Sequence, residues 1–186
     1  MGKLNNTKEA QLEQNLIDLL CARHGQWTFR PDLKTEEDLW NNLRNIIEIR
    51  NKSELNDNAL TDSEFERIQS EILAKTKTPF EAAKWLRREK GKCSIVLERD
   101  NGLGRIELVI YSSNEKNGGF SSYEVVHQIA KSKSDLEERN RRFDVTLLIS
   151  GLPIIQIELK TAIAKDGVKQ AYYQIEKYID EGTFSN

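Results

Sequence analysis

Residues 1–91 carry helical periodicity, residues 92–186 shift to strand-like alternation, and a final amphipathic stretch returns to the helical period. These observations predict an α/β chain, a mixed sheet flanked by helices with a helical N-terminal region. Thr7 to about Arg23 places Leu12, Leu16, Leu19 and Leu20 at helical spacing, and Gly25 stops it. Thr35 followed by Asp38 resembles a capping box, and Leu39, Leu43, Ile46 and Ile47 supply that helix's apolar face. Thr61-Asp62-Ser63-Glu64 opens a third helix with Phe65, Ile68 and Ile72 inward. Thr78-Pro79 opens a fourth, with proline where its missing N–H costs nothing, Phe80, Ala83, Trp85 and Leu86 on the apolar side, and Gly91 at the end.

Cys93–Glu98 and Arg105–Tyr111 read as strands joined by the turn Asp100-Asn101-Gly102-Leu103-Gly104. Tyr123–Ala130 is a third strand and Lys131–Arg142 a polar loop. Arg142–Ile149 and Ile154–Lys160 are two apolar strands around Ser150-Gly151-Leu152-Pro153. Five strands in one mixed sheet are expected. Lys165 to about Glu181 is the last helix, with Val168, Ala171, Ile175 and Ile179 buried. The chain reads as a single domain, 1–186.

The chain has 186 residues, 38% hydrophobic and 31% charged, with 28 Lys+Arg against 30 Asp+Glu for a net charge of −2. That excludes a disordered chain and a binder that holds nucleic acid by bulk charge. No apolar run approaches the roughly 20 residues that cross a bilayer, so no membrane association and a cytoplasmic location are expected. Two cysteines, Cys21 and Cys93, make neither a disulfide framework nor a thiolate metal site. Both read as small buried hydrophobes. Trp27, Trp40 and Trp85 read as core anchors, and His127 as a packed or edge residue.

The chemistry concentrates in the last hairpin. Pairing Ile149 with Pro153 and counting outwards puts Asp144 directly across from Glu158, while alternation puts Glu158 and Lys160 on one face and Ile155, Ile157 and Leu159 on the core face. Opposed like charges destabilise a sheet by up to about 1 kcal/mol. Two carboxylates in apolar surroundings want a shared proton or a hard cation, Mg²⁺ above all. Lys160 can then hold a water or stabilise charge on a phosphate. The spacing alone leaves open a plainer alternative, in which Asp144 ends a strand and Glu158 pairs with Lys160 on a wet face.

Phe143-Asp144-Val145, then Ser150-Gly151-Leu152-Pro153, then Ile157-Glu158-Leu159-Lys160 resembles the nuclease domain of type I restriction enzyme R subunits, the HsdR family. That family has proline at the position of Phe143 and asparagine at that of Ser150. Gln174 and Tyr178 are similar to its Q-x-x-x-Y motif, shared with RecB-like nucleases. Phe120 and Val125–Gln128 resemble its N-x-F-x-V-x-x-Q strand, Leu60–Phe65 and Thr78–Leu86 resemble its N-terminal segments, and Glu13 resembles its first-helix acid. The resemblance implies a restriction-endonuclease-like fold of the PD-(D/E)xK superfamily and Mg²⁺-dependent DNA hydrolysis. Asp144 and Glu158 are then metal ligands with Glu13 as an extra one through water, Lys160 orients the attacking water, and Gln174 and Tyr178 support the site.

The resemblance also implies ATP-driven translocase domains and partner modification and specificity subunits. The chain has no G-x-x-x-x-G-K-[S/T], so an N-terminal fragment of a longer polypeptide is expected, itself monomeric. Arg141 and Arg142 beside the motif, and Lys84, Arg87 and Arg88 in the densest basic stretch, are the candidate DNA contacts. The last three serve equally as a solvated helix end. The rival readings are a RecB-like repair nuclease and a catalytically silent docking module of the same fold.

Overall fold

The computed structural model describes residues 2–22, 26–87, 92–112, 121–130, 143–160 and 166–180, without the side chains of residues 2–7, 143 and 177–180. Its elements are α1 (Gly2–Leu20), β1 (Thr28–Phe29), α2 (Glu36–Arg50), α3 (Asp62–Lys75), α4 (Pro79–Leu86), β2 (Lys92–Glu98), β3 (Arg105–Ser112), β4 (Tyr123–Ile129), β5 (Phe143–Ile149), β6 (Leu152–Ile157) and α5 (Gly167–Asp180). The mixed α/β class is the one the sequence predicts.

The helix starts follow their caps. Asp38 N–H donates to Thr35 Oγ1 at 3.2 Å and Thr35 N–H donates back to the Asp38 carboxylate at 2.9 Å, so aspartate does the work of the usual glutamate. Thr61 and Glu64 form the same reciprocal pair at the start of α3. Thr78 caps α4 with Pro79 in its first turn.

The chain divides into two compact units, Met1–Asn42 with Ser122–Lys177, and Leu43–Ser121 with Tyr178–Asn186. The first holds a four-stranded sheet in the order β1-β4-β5-β6, with β1 parallel to β4 and the other pairs antiparallel. Val125, Val145 and Leu147 pack on one side with Ile17 of α1. Leu33, Val126, Ile129 and Leu148 form a second buried group. The second unit holds the antiparallel ribbon β2–β3, with α3 and α4 packed on β2.

Five strands in a single sheet are therefore not what forms. Among the described residues β2 and β3 pair only with each other, and the sheet gains β1, whose two residues are too short for alternation to reveal. Three helices also bury less than their periodicity suggests. In α1 Glu13 and Ile17 are buried and Leu16 and Leu20 pack on the core, while Leu12 and Leu19 are exposed. In α4 Trp85 is buried and Phe80 faces solvent; in α5 Val168 and Ile175 are exposed. Each of these segments carries more apolar residues than its one contact face can cover. Ile179 lies among the side chains outside the description.

The ribbon unit is fastened by a buried ion pair. Arg99 donates through Nε to Glu64 Oε1 at 2.7 Å, and both side chains are almost fully buried. Glu64 also accepts the N–H groups of Asp100 and Thr61. Burial pushes the Glu64 carboxyl up, but Arg99 and the two N–H donors outweigh it and hold it below its ordinary value. Glu64→Ala leaves the buried Arg99 without its carboxylate partner, and should destabilise by about 3 kcal/mol, measured by urea unfolding. A change within about 0.5 kcal/mol is the outcome expected of an ordinary surface site and contradicts this account.

Candidate active site

The site rests on the β5–β6 hairpin, whose register differs from the simplest count. Ile149 pairs with Leu152, not Pro153. The turn is the two-residue Ser150-Gly151, with φ of +54° and +78°. Two successive positive φ values match the tight hairpin turn whose twist suits the flanking strands, and glycine takes its share without strain. A register shift between Leu147 and Leu148 then leaves Ile154 unpaired, and pairing resumes as Leu147–Ile155, Thr146–Gln156 and Val145–Ile157. This one-residue bulge cancels the shorter turn. The next position outward sets Asp144 across from Glu158, as the count from Pro153 had placed it.

Two further contacts fix this end of the hairpin. Leu159 N–H donates to Asp144 Oδ2 at 2.7 Å. Ile157 and Leu159 pack against the core group of Ile17, Val125, Val145 and Leu147, which aims the intervening Glu158 away from that core. Both Glu158 carboxylate oxygens are buried, and among the described residues no hydrogen bond of normal geometry reaches them, Asp144 being the group that acts on them through its N–H and its carboxyl. The plainer alternative, a Glu158–Lys160 pair on a wet face, is therefore not what the chain adopts. Burial of the Glu158 carboxyl and the charge of Asp144 push its pKa to about 7, against the opposing pulls of Lys160 and of the Asp144 N–H. Asp144 is also raised, by burial first, with Glu13 and Glu9 adding to it and the Leu159 N–H and Lys160 opposing.

A pair of buried carboxylate oxygens without partners, beside a second carboxyl that is also raised, fits a hard divalent cation. Asp144 and Glu158 are the residues able to hold one. Among the described residues no group of three or more His, Cys, Asp or Glu side chains is gathered tightly enough to hold a metal ion. Glu13 is nearly buried, and its two oxygens are engaged by His127 Nδ1 at 2.7 Å and Gln128 Nε2 at 2.9 Å.

The other expected site residues are distributed as follows. Lys160 is half-buried two positions beyond Glu158, and its charge acts on both acids. Gln174 is half-buried on α5; Tyr178 lies on the same helix, with its side chain outside the description. Lys84 and Arg87 are exposed at α4, in the other unit. Arg88, Arg141 and Arg142 lie outside the described residues.

Sequence reasoning read His127 as a packed or edge residue and did not single out Lys34 or Glu9. Lys34 Nζ lies 3.3 Å from His127 Nε2, completing a chain Lys34–His127–Glu13–Gln128. A signal for Glu9 lies in its spacing from Glu13, one helical turn apart, which puts two acids on one side of α1.

The family model of the type I restriction enzyme R protein N terminus matches residues 6–185. The chain is similar to the type I restriction enzyme SauCOLORF180P endonuclease subunit of Staphylococcus aureus (strain COL), 30% identical over 149 residues, which are 80% of this chain and 14% of that protein. The SsaAORF53P endonuclease subunit of Staphylococcus saprophyticus is 30% identical over 146 residues, 78% of this chain and 14% of that protein. The EcoprrI endonuclease subunit of Escherichia coli is 38% identical over 80 residues, 42% of this chain and 23% of that protein. The chain thus spans about a seventh of the length of its staphylococcal relatives. No solved structure matches.

The raised Glu158 carboxyl has a consequence for stability. Its value goes from an ordinary 4.5 to about 7 on folding. Between those values the folded chain binds more protons than the unfolded one, so stability falls as pH rises through the window. Below it both states are protonated and the burden is absent; above it the burden is complete. The melting temperature of the metal-free protein should fall between about pH 5 and about pH 8, and that of Glu158→Gln should fall less over the same interval. Identical slopes in scanning calorimetry count against a raised Glu158.

Proposed function

We propose that this chain, which belongs to the type I restriction enzyme R protein N-terminal family, is a Mg²⁺-dependent nuclease domain that hydrolyses DNA phosphodiester bonds within a restriction system. The observation that carries this reading is the pair of buried, unpartnered Glu158 oxygens across the hairpin from Asp144.

Asp144 and Glu158 hold the cation. When bound, it supplies positive charge to the phosphate under attack and makes water a better nucleophile at neutral pH. The hairpin keeps the two acids in place when no cation neutralises them, because the Leu159 N–H ties Asp144 and the core residues Ile157 and Leu159 flank Glu158. Lys160 stands two residues beyond Glu158, within electrostatic reach of both acids. Its three N–H donors can orient the attacking water and hold a phosphate oxygen as negative charge grows on it. Gln174 and Tyr178 of α5 support the site or the DNA strand, and Arg141, Arg142, Lys84, Arg87 and Arg88 contact the phosphate backbone.

In the longer polypeptide, ATP-driven translocase domains and separate modification and specificity subunits work with this domain, in the cytoplasm. No helix among the described residues is long and apolar enough to cross a membrane.

In the assembled enzyme, Asp144→Ala, Glu158→Ala and Lys160→Ala should each slow DNA cleavage by on the order of a hundredfold or more, with DNA-stimulated ATP hydrolysis retained. Cleavage of plasmid DNA at the wild-type rate by Asp144→Ala refutes the proposed site.

A further inference from the structure

One residue in β4 breaks the strand's conformation, and it does so next to the acid pair. His127 pairs with Val145 and Ile129 with Phe143, so Gln128 stands across the ladder from Asp144. Gln128 has φ of +55°, in the left-handed region that a residue with a side chain adopts at a cost. The consequence is a change of face. Val126 and Ile129 belong to the same buried group although they are three residues apart, an odd spacing that regular alternation assigns to opposite faces. The two residues between them, His127 and Gln128, both turn to Glu13.

Glu13 is consequently gripped at both oxygens, Oε1 by His127 Nδ1 and Oε2 by Gln128 Nε2. The Lys34 ammonium fixes the direction of the first contact. It has only protons to give, so His127 Nε2 accepts from it and the ring proton sits on Nδ1, directed at Glu13. The ring is also packed edge-on against Phe29, with centroids 5.1 Å apart. A surface glutamate has no need of two such donors, a packed ring and a left-handed backbone residue. Strain of this kind persists only where surrounding structure enforces it.

We infer that His127 and Gln128 are positioning residues that clamp Glu13, so that its charge joins those of Asp144 and Glu158 in holding a divalent cation. The clamp orients the carboxylate through one imidazole and one amide nitrogen, one at each oxygen. Glu13 acts through its field from outside the ligand pair, in keeping with the lack of a three-residue ligand group among the described residues. After burial, Glu13 is one of the influences that raise Asp144, so its charge does reach the pair. The inference rests on the metal-dependent reading of Asp144 and Glu158.

The test is calorimetric titration of the full chain with Mn²⁺ in the absence of nucleotide, with the Asp144→Ala/Glu158→Ala double variant as the blank. Melting temperature without metal is measured alongside. Glu13→Gln keeps the shape and removes the charge, and should weaken Mn²⁺ binding about tenfold. Gln128→Gly accepts the left-handed backbone without strain but lacks the amide, and should weaken binding several-fold while the metal-free melting temperature is unchanged or higher. His127→Ala should weaken binding, and His127→Asn, which keeps a donor near the place of Nδ1, should restore most of it. A purely structural clamp moves melting temperature and leaves Mn²⁺ affinity alone, and that result overturns the inference. So does Glu13→Gln binding Mn²⁺ as tightly as the wild type. A wild-type chain that binds no more Mn²⁺ than the blank sinks the metal site itself, and this inference with it.

Discussion

Two carboxyls that repel each other are held at facing positions of a hairpin, partly out of water, and the rest of the site is arranged around that placement. A single-residue error of register would send one of them to the other face of the sheet. The chain prevents this with two linked departures from regularity. The tight Ser150-Gly151 turn draws the strands together one residue early, and the bulge at Ile154 gives that residue back before the acids are reached. Either change alone puts Asp144 opposite the wrong neighbour. Leu147, Val145, Ile157 and Leu159 then lock the corrected register by packing on the α1 side.

Much of this was readable in the sequence, for physical reasons that differ by element. Caps are local chemistry, so Thr35, Thr61 and Thr78 announce their helices from three or four residues. The acid pair was readable because strand alternation and the apolar runs on both sides of Gly151 favour one hairpin, although Ile155, expected on the core face with Ile157 and Leu159, is exposed. The bulge was not, since nothing in Leu152-Pro153-Ile154-Ile155 marks which apolar residue goes unpaired. The facing of Asp144 and Glu158 came out right because two departures from the simple hairpin cancel. The assembly of the sheet was less accessible. A two-residue strand such as Thr28–Phe29 has no periodicity, and whether a ribbon such as β2–β3 joins a sheet is decided by contacts far apart in sequence. Helices such as α4 and α5 carry more apolar residues than they bury, so periodicity overstated their inward faces.

The Glu13 cluster shows a different kind of limit. An acid on an amphipathic helix is normally placed on the wet side, and helical spacing put the inward face of α1 on Leu12, Leu16, Leu19 and Leu20, of which Leu16 and Leu20 do pack on the core. The structure turns Glu13 inward because donors await it there, from His127 and Gln128. Those donors become available only through the left-handed residue Gln128, and a backbone conformation of that kind in glutamine leaves no trace in the sequence around it. Long-range polar satisfaction can thus overrule hydrophobic patterning, and it does so where an isolated carboxylate is otherwise unfavourable to bury.

The treatment of buried acids across the chain explains why Glu158 stands apart. Glu64 is met by Arg99 and two backbone N–H groups. Glu124 is met by Arg30, Asn42 and Ser122. Glu13 has its imidazole and amide. In each case the fold supplies donors from separate segments, so the sequence is able to satisfy a buried carboxylate and does so repeatedly. Glu158 alone among the described carboxylates has both oxygens buried without a hydrogen bond of normal geometry, and the charge that acts on it most strongly is another acid, Asp144. A fold selected for stability alone removes such a group or gives it a donor, because replacing it by an apolar side chain of similar size costs little. On the proposed reading, the partner of Glu158 is the cation held with Asp144, and Lys160 acts on both acids of that pair.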